Sequence, residues 1–194
     1  MIIDLPYNRE RAIEYARKWA LSRNPLFIDF TGIGGNCTNF VSQCVFAGCP
    51  VMNFTQTFGW YYRIPSDRAP AWSGVDEFFD FMLGTPDFRA ANGGTGPYGI
   101  LATREEDVME GDVIQLRNSD GNFYHTLIIS GFQDGDVLVC AQSDDALDRR
   151  LSSYNYAGLR VIHIQGGRLM VDIDKSFRAI LDGSSILPLG MPLN

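Results

Sequence analysis

The chain has 194 residues, 45% of them hydrophobic and 12% aromatic, which suffices to bury one substantial core without cross-links and makes a single domain the expectation. A formal net charge of -7 argues against a nucleic-acid or anionic-membrane surface, because a phosphate-binding face needs clustered Lys and Arg. Four cysteines, Cys37, Cys44, Cys49 and Cys140, are too few for a disulfide scaffold; with no CxxC pair and only two histidines, His125 and His163, the spacings fit no zinc signature.

The segment MIIDLPYNRERAIEYARKWA carries acidic residues where a secretory leader needs a basic start and an unbroken apolar stretch. No apolar run reaches the roughly 18 residues of a membrane span. The expectation is a soluble chain without an export signal or membrane insertion of its own; the compartment stays open between the cytoplasm and the cell exterior reached by another route. Asn8 to Ser22 reads as an amphipathic helix, with Ala12, Tyr15, Ala16, Trp19 and Ala20 on one stripe and Asn24-Pro25 as its stop. A second helix is expected over about Cys37 to Phe46, with Gly48 just past its end as a C-cap. A shorter third covers 75–83, between Gly74 and Gly84.

The glycine-rich stretch 84–104 reads as a loop. Beyond it, Asp112 to Leu116, Tyr124 to Ser130, Asp136 to Ala141 and Gly158 to Ile164 are β-rich runs separated by turn signals such as Ser119-Asp120-Gly121-Asn122. Helices first and an antiparallel sheet second predict an α+β fold. Residues 165–194 read as an extension holding an edge strand and a loose end.

GGNCTNFVSQC, residues 34–44, sets a thiol at the mouth of a helix. A cysteine attacks as its thiolate, and the unpaired N–H groups and positive dipole end of a helix N-terminus favour that anion. Gly34 and Gly35 let the backbone turn tightly and leave the sulfur open. From the residues alone Cys37 is either a nucleophile or one more small buried hydrophobe. Cys44 and Cys140 read as core, and Cys49 is loop-borne, within conceivable reach of a disulfide with Cys44. A thiol nucleophile needs a base. His163, within RVIHI, reads as a strand histidine held by a hydrogen bond; His125 opens the strand after a turn and can face a cleft.

CTNFVSQC followed by Ala-Gly, then WYY, a lone Trp beside Ser, GDVIQ, HTLIIS, SDDALDRRLSSY and LRVIHI, in that order over about Tyr7 to Ile164, resembles the bacterial putative amidase domain family, related to NlpC-type and CHAP-type cell-wall peptidases and amidases. The resemblance implies a papain-like fold with Cys37 as nucleophile and His125 as general base. The motif usually has Asp before CTNF, where this chain has Asn36. In relatives a histidine in the next strand orients the imidazole; that position is Gln142, which implies a glutamine as orienting residue, able to fix a tautomer but not to neutralise an imidazolium.

The implied chemistry is acyl transfer through a thioester, with no metal and no organic cofactor. The implied partner is a peptide or peptidoglycan. Trp60, Tyr61, Trp72 and Tyr98, with Tyr62, either line a substrate cleft or belong to the core. Asn39 and Gln43 read as satisfying buried backbone, and Asp148 with Arg149 as a pair pinning the loop after Gln142 or as solvated charges. Three functions stay open: an amide hydrolase, an acyltransferase using the same dyad, and a binding module that has lost activity.

Overall fold

The computed structural model describes residues 1–184. In chain order come a strand β1 (Ile2–Pro6), helices α1 (Arg9–Trp19) and α2 (Cys37–Gly48), a ribbon of β2 (Tyr62–Ile64) and β3 (Asp67–Arg68), and short helices α3 (Pro70–Ser73), α4 (Val75–Leu83) and α5 (Pro86–Asn92). Strands β4 (Gly96–Leu101), β5 (Val113–Arg117), β6 (Phe123–Gln133), β7 (Asp136–Ala141), β8 (Ala146–Arg150) and β9 (Gly158–Met170) follow, then helix α6 (Ile173–Leu181). The class is α+β, as the sequence predicts. The division into early helices and a late sheet holds only in part, because β1 joins the sheet from one end of the chain and α6 follows it at the other.

Every pairing in the main sheet is antiparallel, in the order β1-β9-β5-β6-β7-β8, with β4 on β9 as well. Side chains alternate between the two faces with the period of two that a strand imposes. Val113, Ile128, Cys140, Ile162 and Ile164 meet Ala12, Ala16, Phe40, Val41 and Phe78 of the helices. Ile114, Leu116, Leu127, Ile129, Val139 and Val161 form a second cluster on the opposite face. Among the described residues no helix is long and apolar enough to cross a membrane.

Helix α1 starts where Asn8 caps it, its side-chain oxygen accepting from the Arg11 N–H at 2.9 Å, and ends at Trp19, short of Ser22. Helix α2 runs to Gly48, beyond the expected Phe46. Gly48 is therefore helical and not a C-cap. It is glycine because a Cβ there would enter the Tyr7 ring.

The stretch 84–104 is not a loop: it holds α5 and β4. Gly84 and Gly93 are the left-handed residues ending α4 and α5, whereas Gly99 sits in β4 because a Cβ would lie 2.6 Å from the His163 carbonyl oxygen. The edge strand expected over 168–177 does not form: β9 runs on to Met170, with 166–168 paired on both sides by β1 and β4 and 169–170 by β1, and Ile173–Leu181 is helix α6. Of the loose end expected from Leu181, Leu181 closes α6 and 182–184 turn after it; the rest lies outside the described residues.

His163 is the bonded strand histidine expected of it. Its Nδ1 lies 2.9 Å from a carboxylate oxygen of Asp112, which is wholly buried and also accepts from Arg9 Nη1 at 2.6 Å, the Met109 N–H at 2.9 Å and the Ile164 N–H at 3.1 Å. This one carboxylate joins α1, the start of β5 and β9.

Candidate active site

Ten of the twelve residues of α2 are buried, so the helix is the centre of the molecule and not an amphipathic surface element. Cys37 opens it. Gly34 and Gly35 precede it at φ +123° and +103°, a region that a side chain rarely tolerates. The helix start is then fixed by Asn36. Its N–H donates to Ser143 Oγ, its side-chain NH2 donates to Gln142 Oε1, and its side-chain oxygen accepts from the Phe30 N–H at 3.0 Å and Asn39 Nδ2 at 2.8 Å. Asn39 in turn donates to the Ile28 carbonyl at 2.9 Å, the backbone role expected of it, and accepts from Trp72 Nε1 at 2.8 Å. Gln43 instead accepts from the Tyr15 hydroxyl at 2.8 Å.

One residue beyond the thiol, Thr38 shares a 2.8 Å hydrogen bond with Thr126, one residue beyond His125. The register that sets Ile128 against Cys140 leads, extended to the strand's end, to Thr126 opposite Gln142 and His125 opposite Ser143. The start of α2, the start of β6 and the β7–β8 turn therefore meet at one corner, while the alternation along β6 sets the His125 ring on the other face of the strand from Thr126, with Leu116, Leu127 and Ile129. The sulfur and the imidazole do not hydrogen-bond directly: the polar neighbour of Cys37 Sγ is Thr38 Oγ1 at 3.8 Å, and His125 Nε2 is buried without a partner.

Burial pushes the pKa of His125 below its ordinary value; the Asp144 carboxylate pulls it back up and the Arg149 guanidinium lowers it further. The group is thus a neutral imidazole at neutral pH. Burial pushes the thiols of Cys44, Cys49 and Cys140 up, which keeps them protonated and inert. All four cysteines are free, Cys44 and Cys140 are core as read from the sequence, and Cys49 is buried.

Gln142 does not orient the imidazole. Its oxygen accepts from Asn36 and its NH2 donates to the Trp19 and Ser22 carbonyls at 2.7 and 2.8 Å, so the carboxamide ties α1 to the start of α2 and has no bond to the imidazole. The two positions that depart from the recognised motif, 36 and 142, thus bond to each other.

Trp60 and Trp72 have no exposed surface and cannot line a cleft; they pack tilted against each other in the core with centroids 4.6 Å apart, Trp60 Nε1 donating to Ser42 Oγ at 3.1 Å. Tyr61 is buried against Phe54, and the Tyr62 hydroxyl accepts from the Ile28 N–H. Tyr98 lies beneath Arg168, 3.8 Å from its guanidinium, in a groove with Arg89, Gln165 and Arg168 that shares no residue with the loop before Cys37. The groove that does include this loop runs between Phe30, Ile33, Gly34 and Gly35 on one side and Arg68, Ser73 and Glu77 on the other.

Asp148 and Arg149 do not pair. Asp148 meets Arg17 at 3.1 Å and Arg149 meets Asp144 at 2.6 Å, since successive side chains of a strand leave in different directions. Sequence reasoning passed over Tyr154, whose ring centroid lies 6.1 Å from that of His125. It stands in SDDALDRRLSSY, but a lone tyrosine after a polar run carries no periodic signal.

This is an α+β protein with a cysteine at the N-terminus of its central helix and a buried, neutral histidine on the strand that this helix start bonds to. A family model described as "Putative amidase domain" matches residues 6–164, and the chain belongs to that family, whose description names amide hydrolysis. It is 31% identical over 144 residues to "Uncharacterized protein YhbB" of Bacillus subtilis (strain 168), a match taking in 72% of this chain and 42% of that protein. The chain thus spans about two fifths of that relative's length. No solved structure matches the chain.

Proposed function

We propose that the chain is a single papain-like domain of the NlpC/CHAP kind and a cysteine-dependent amide hydrolase acting on peptidoglycan or a related peptide. The observation that carries this reading is the Thr38–Thr126 hydrogen bond, which holds the residues after Cys37 and His125 together at the mouth of α2. His125 takes the thiol proton, and the thiolate attacks the amide carbonyl. The oxyanion forms against the unpaired N–H groups of the first helical turn. His125 then protonates the leaving amine, and water hydrolyses the thioester with the same imidazole as base. The groove between Ile33 and Glu77 is the place for the substrate, its polar walls supplied by Arg68, Ser73 and Glu77.

A second reading, a binding module without activity, draws on the missing hydrogen bond between sulfur and imidazole. Iodoacetamide near pH 6 separates the two. The enzyme labels Cys37 stoichiometrically, His125→Ala slows labelling at least tenfold, and Cys37→Ala abolishes release of fragments from purified peptidoglycan, read by mass spectrometry. An unreactive Cys37 together with no release would leave the module. Products with added amines distinguish transfer from hydrolysis.

A further inference from the structure

Among the described residues, four buried side-chain polar atoms have no hydrogen-bond partner, and two of them, His125 Nε2 and the Tyr154 hydroxyl, belong to neighbouring rings. A buried polar atom left unpaired is destabilising, so two on neighbouring rings point to a bond that forms in the working state. The ring centroids are 6.1 Å apart and the planes inclined by 41°.

Tyr154 is held firmly. The Arg149 guanidinium covers its ring face at 3.9 Å, a cation–π contact. Arg149 is itself clamped by Asp144 at 2.6 Å and by Ser153 Oγ at 2.8 Å, and the Tyr154 N–H donates to the Leu151 carbonyl at 3.0 Å. The competing groups are committed elsewhere: the Gln142 carboxamide to Asn36, Trp19 and Ser22, and the Asp144 carboxylate to Arg149.

We propose that Tyr154, and not Gln142, is the positioning residue of the site, its hydroxyl oxygen accepting a hydrogen bond from the Nε2–H of His125. A neutral imidazole carries one proton, so fixing it on Nε2 leaves the lone pair on Nδ1 to take the proton of Cys37. When the imidazolium forms, the phenol oxygen remains as acceptor for Nε2–H. Burial pushes the Tyr154 pKa up to about 12, so the phenol stays neutral and orients the ring without trapping its charge. The proton moves from sulfur to Nδ1 and then to the leaving amine; Tyr154 gives up none.

The placement of Tyr154 rests on the hydrolase reading for its purpose but not for its test. The charged and titratable groups around His125 are Asp144, Arg149, Tyr154 and Tyr124. Long-range ¹H–¹⁵N correlation spectra of the intact protein, which has two histidines, report the tautomer of each ring. The expected results are an Nε2–H tautomer for His125 in the parent, loss of that single tautomer and a lower titration midpoint in Tyr154→Phe, and no change in Gln142→Ala. Alkylation of Cys37 should slow two- to tenfold in Tyr154→Phe, the range of one neutral hydrogen bond.

An Nδ1–H tautomer in the parent overturns the proposal whether or not the variant folds. So does a Tyr154→Phe spectrum and titration equal to the parent's, or a tautomer that responds to Gln142→Ala instead. A tautomer dependent on Tyr154 in a protein whose Cys37 is unreactive would support the placement and sink the hydrolase reading.

Discussion

His125 is charged at a cost, and that cost has a direction in pH. Its folded-state pKa lies below the ordinary value because the ring is buried, whereas in the unfolded chain it titrates near 6.5. As pH falls through about 6.5 the unfolded state takes up the proton first, and the folded state loses stability until pH reaches the folded pKa, below which the loss is complete. His125→Gln should reduce this acid-side loss, measured as urea midpoints at several pH values. On the hydrolase reading the acidic limb of kcat/KM lies below pH 6.5, since the base stays neutral there; a limb above 6.5 would contradict a buried neutral imidazole. Cys37 was legible in the sequence because glycines and a helix start are local signals. The tie between Gln142 and Asn36 was not, because it joins residues 106 apart.

At the scale of elements, α1, α2, α4 and strands β5, β6, β7 and β9 were all readable from periodicity and turn signals. Those missed have physical causes of two kinds. The β1 residues are mostly exposed, so no alternation of apolar and polar marks them. In α5 and β4 the glycines that suggest a loop answer separate demands: left-handed caps at Gly84 and Gly93, and close packing at Gly99. Gly99→Ala tests that account. Its Cβ would meet the His163 carbonyl oxygen at 2.6 Å and Ile162 Cγ2 at 3.0 Å, forcing β4 away from β9 at a cost of about 1–3 kcal/mol, read as a lower urea midpoint. Trp60 and Trp72 were ambiguous for a related reason. An aromatic pair looks alike in sequence whether it lines a cleft or fills the space over a central helix.

For the molecule as a whole, Asp112 is the polar joint. With Arg9, His163, and the Met109 and Ile164 N–H groups all resting on its buried carboxylate, Asp112→Ala strands an arginine and two backbone donors at once. The expected loss is about 3–5 kcal/mol, again by urea unfolding, while Cys37 labelling under native conditions persists because the joint lies outside the corner formed by α2, β6 and the β7–β8 turn. Neither the joint nor the sheet order could be read from one chain, since each depends on which distant segments come together.

Strand β9 has one more consequence. Among the described residues it is the last strand of the sheet, yet β1, β4 and β5 all pair with it. During synthesis, which proceeds from the amino end, those three strands emerge well before the segment that unites them, and β1 must wait for a mate 160 to 168 residues downstream. Such distant pairing makes folding slow. The nascent protein therefore passes through a period in which unclaimed strand edges are open to neighbouring chains, and only the arrival of β9 ends that exposure.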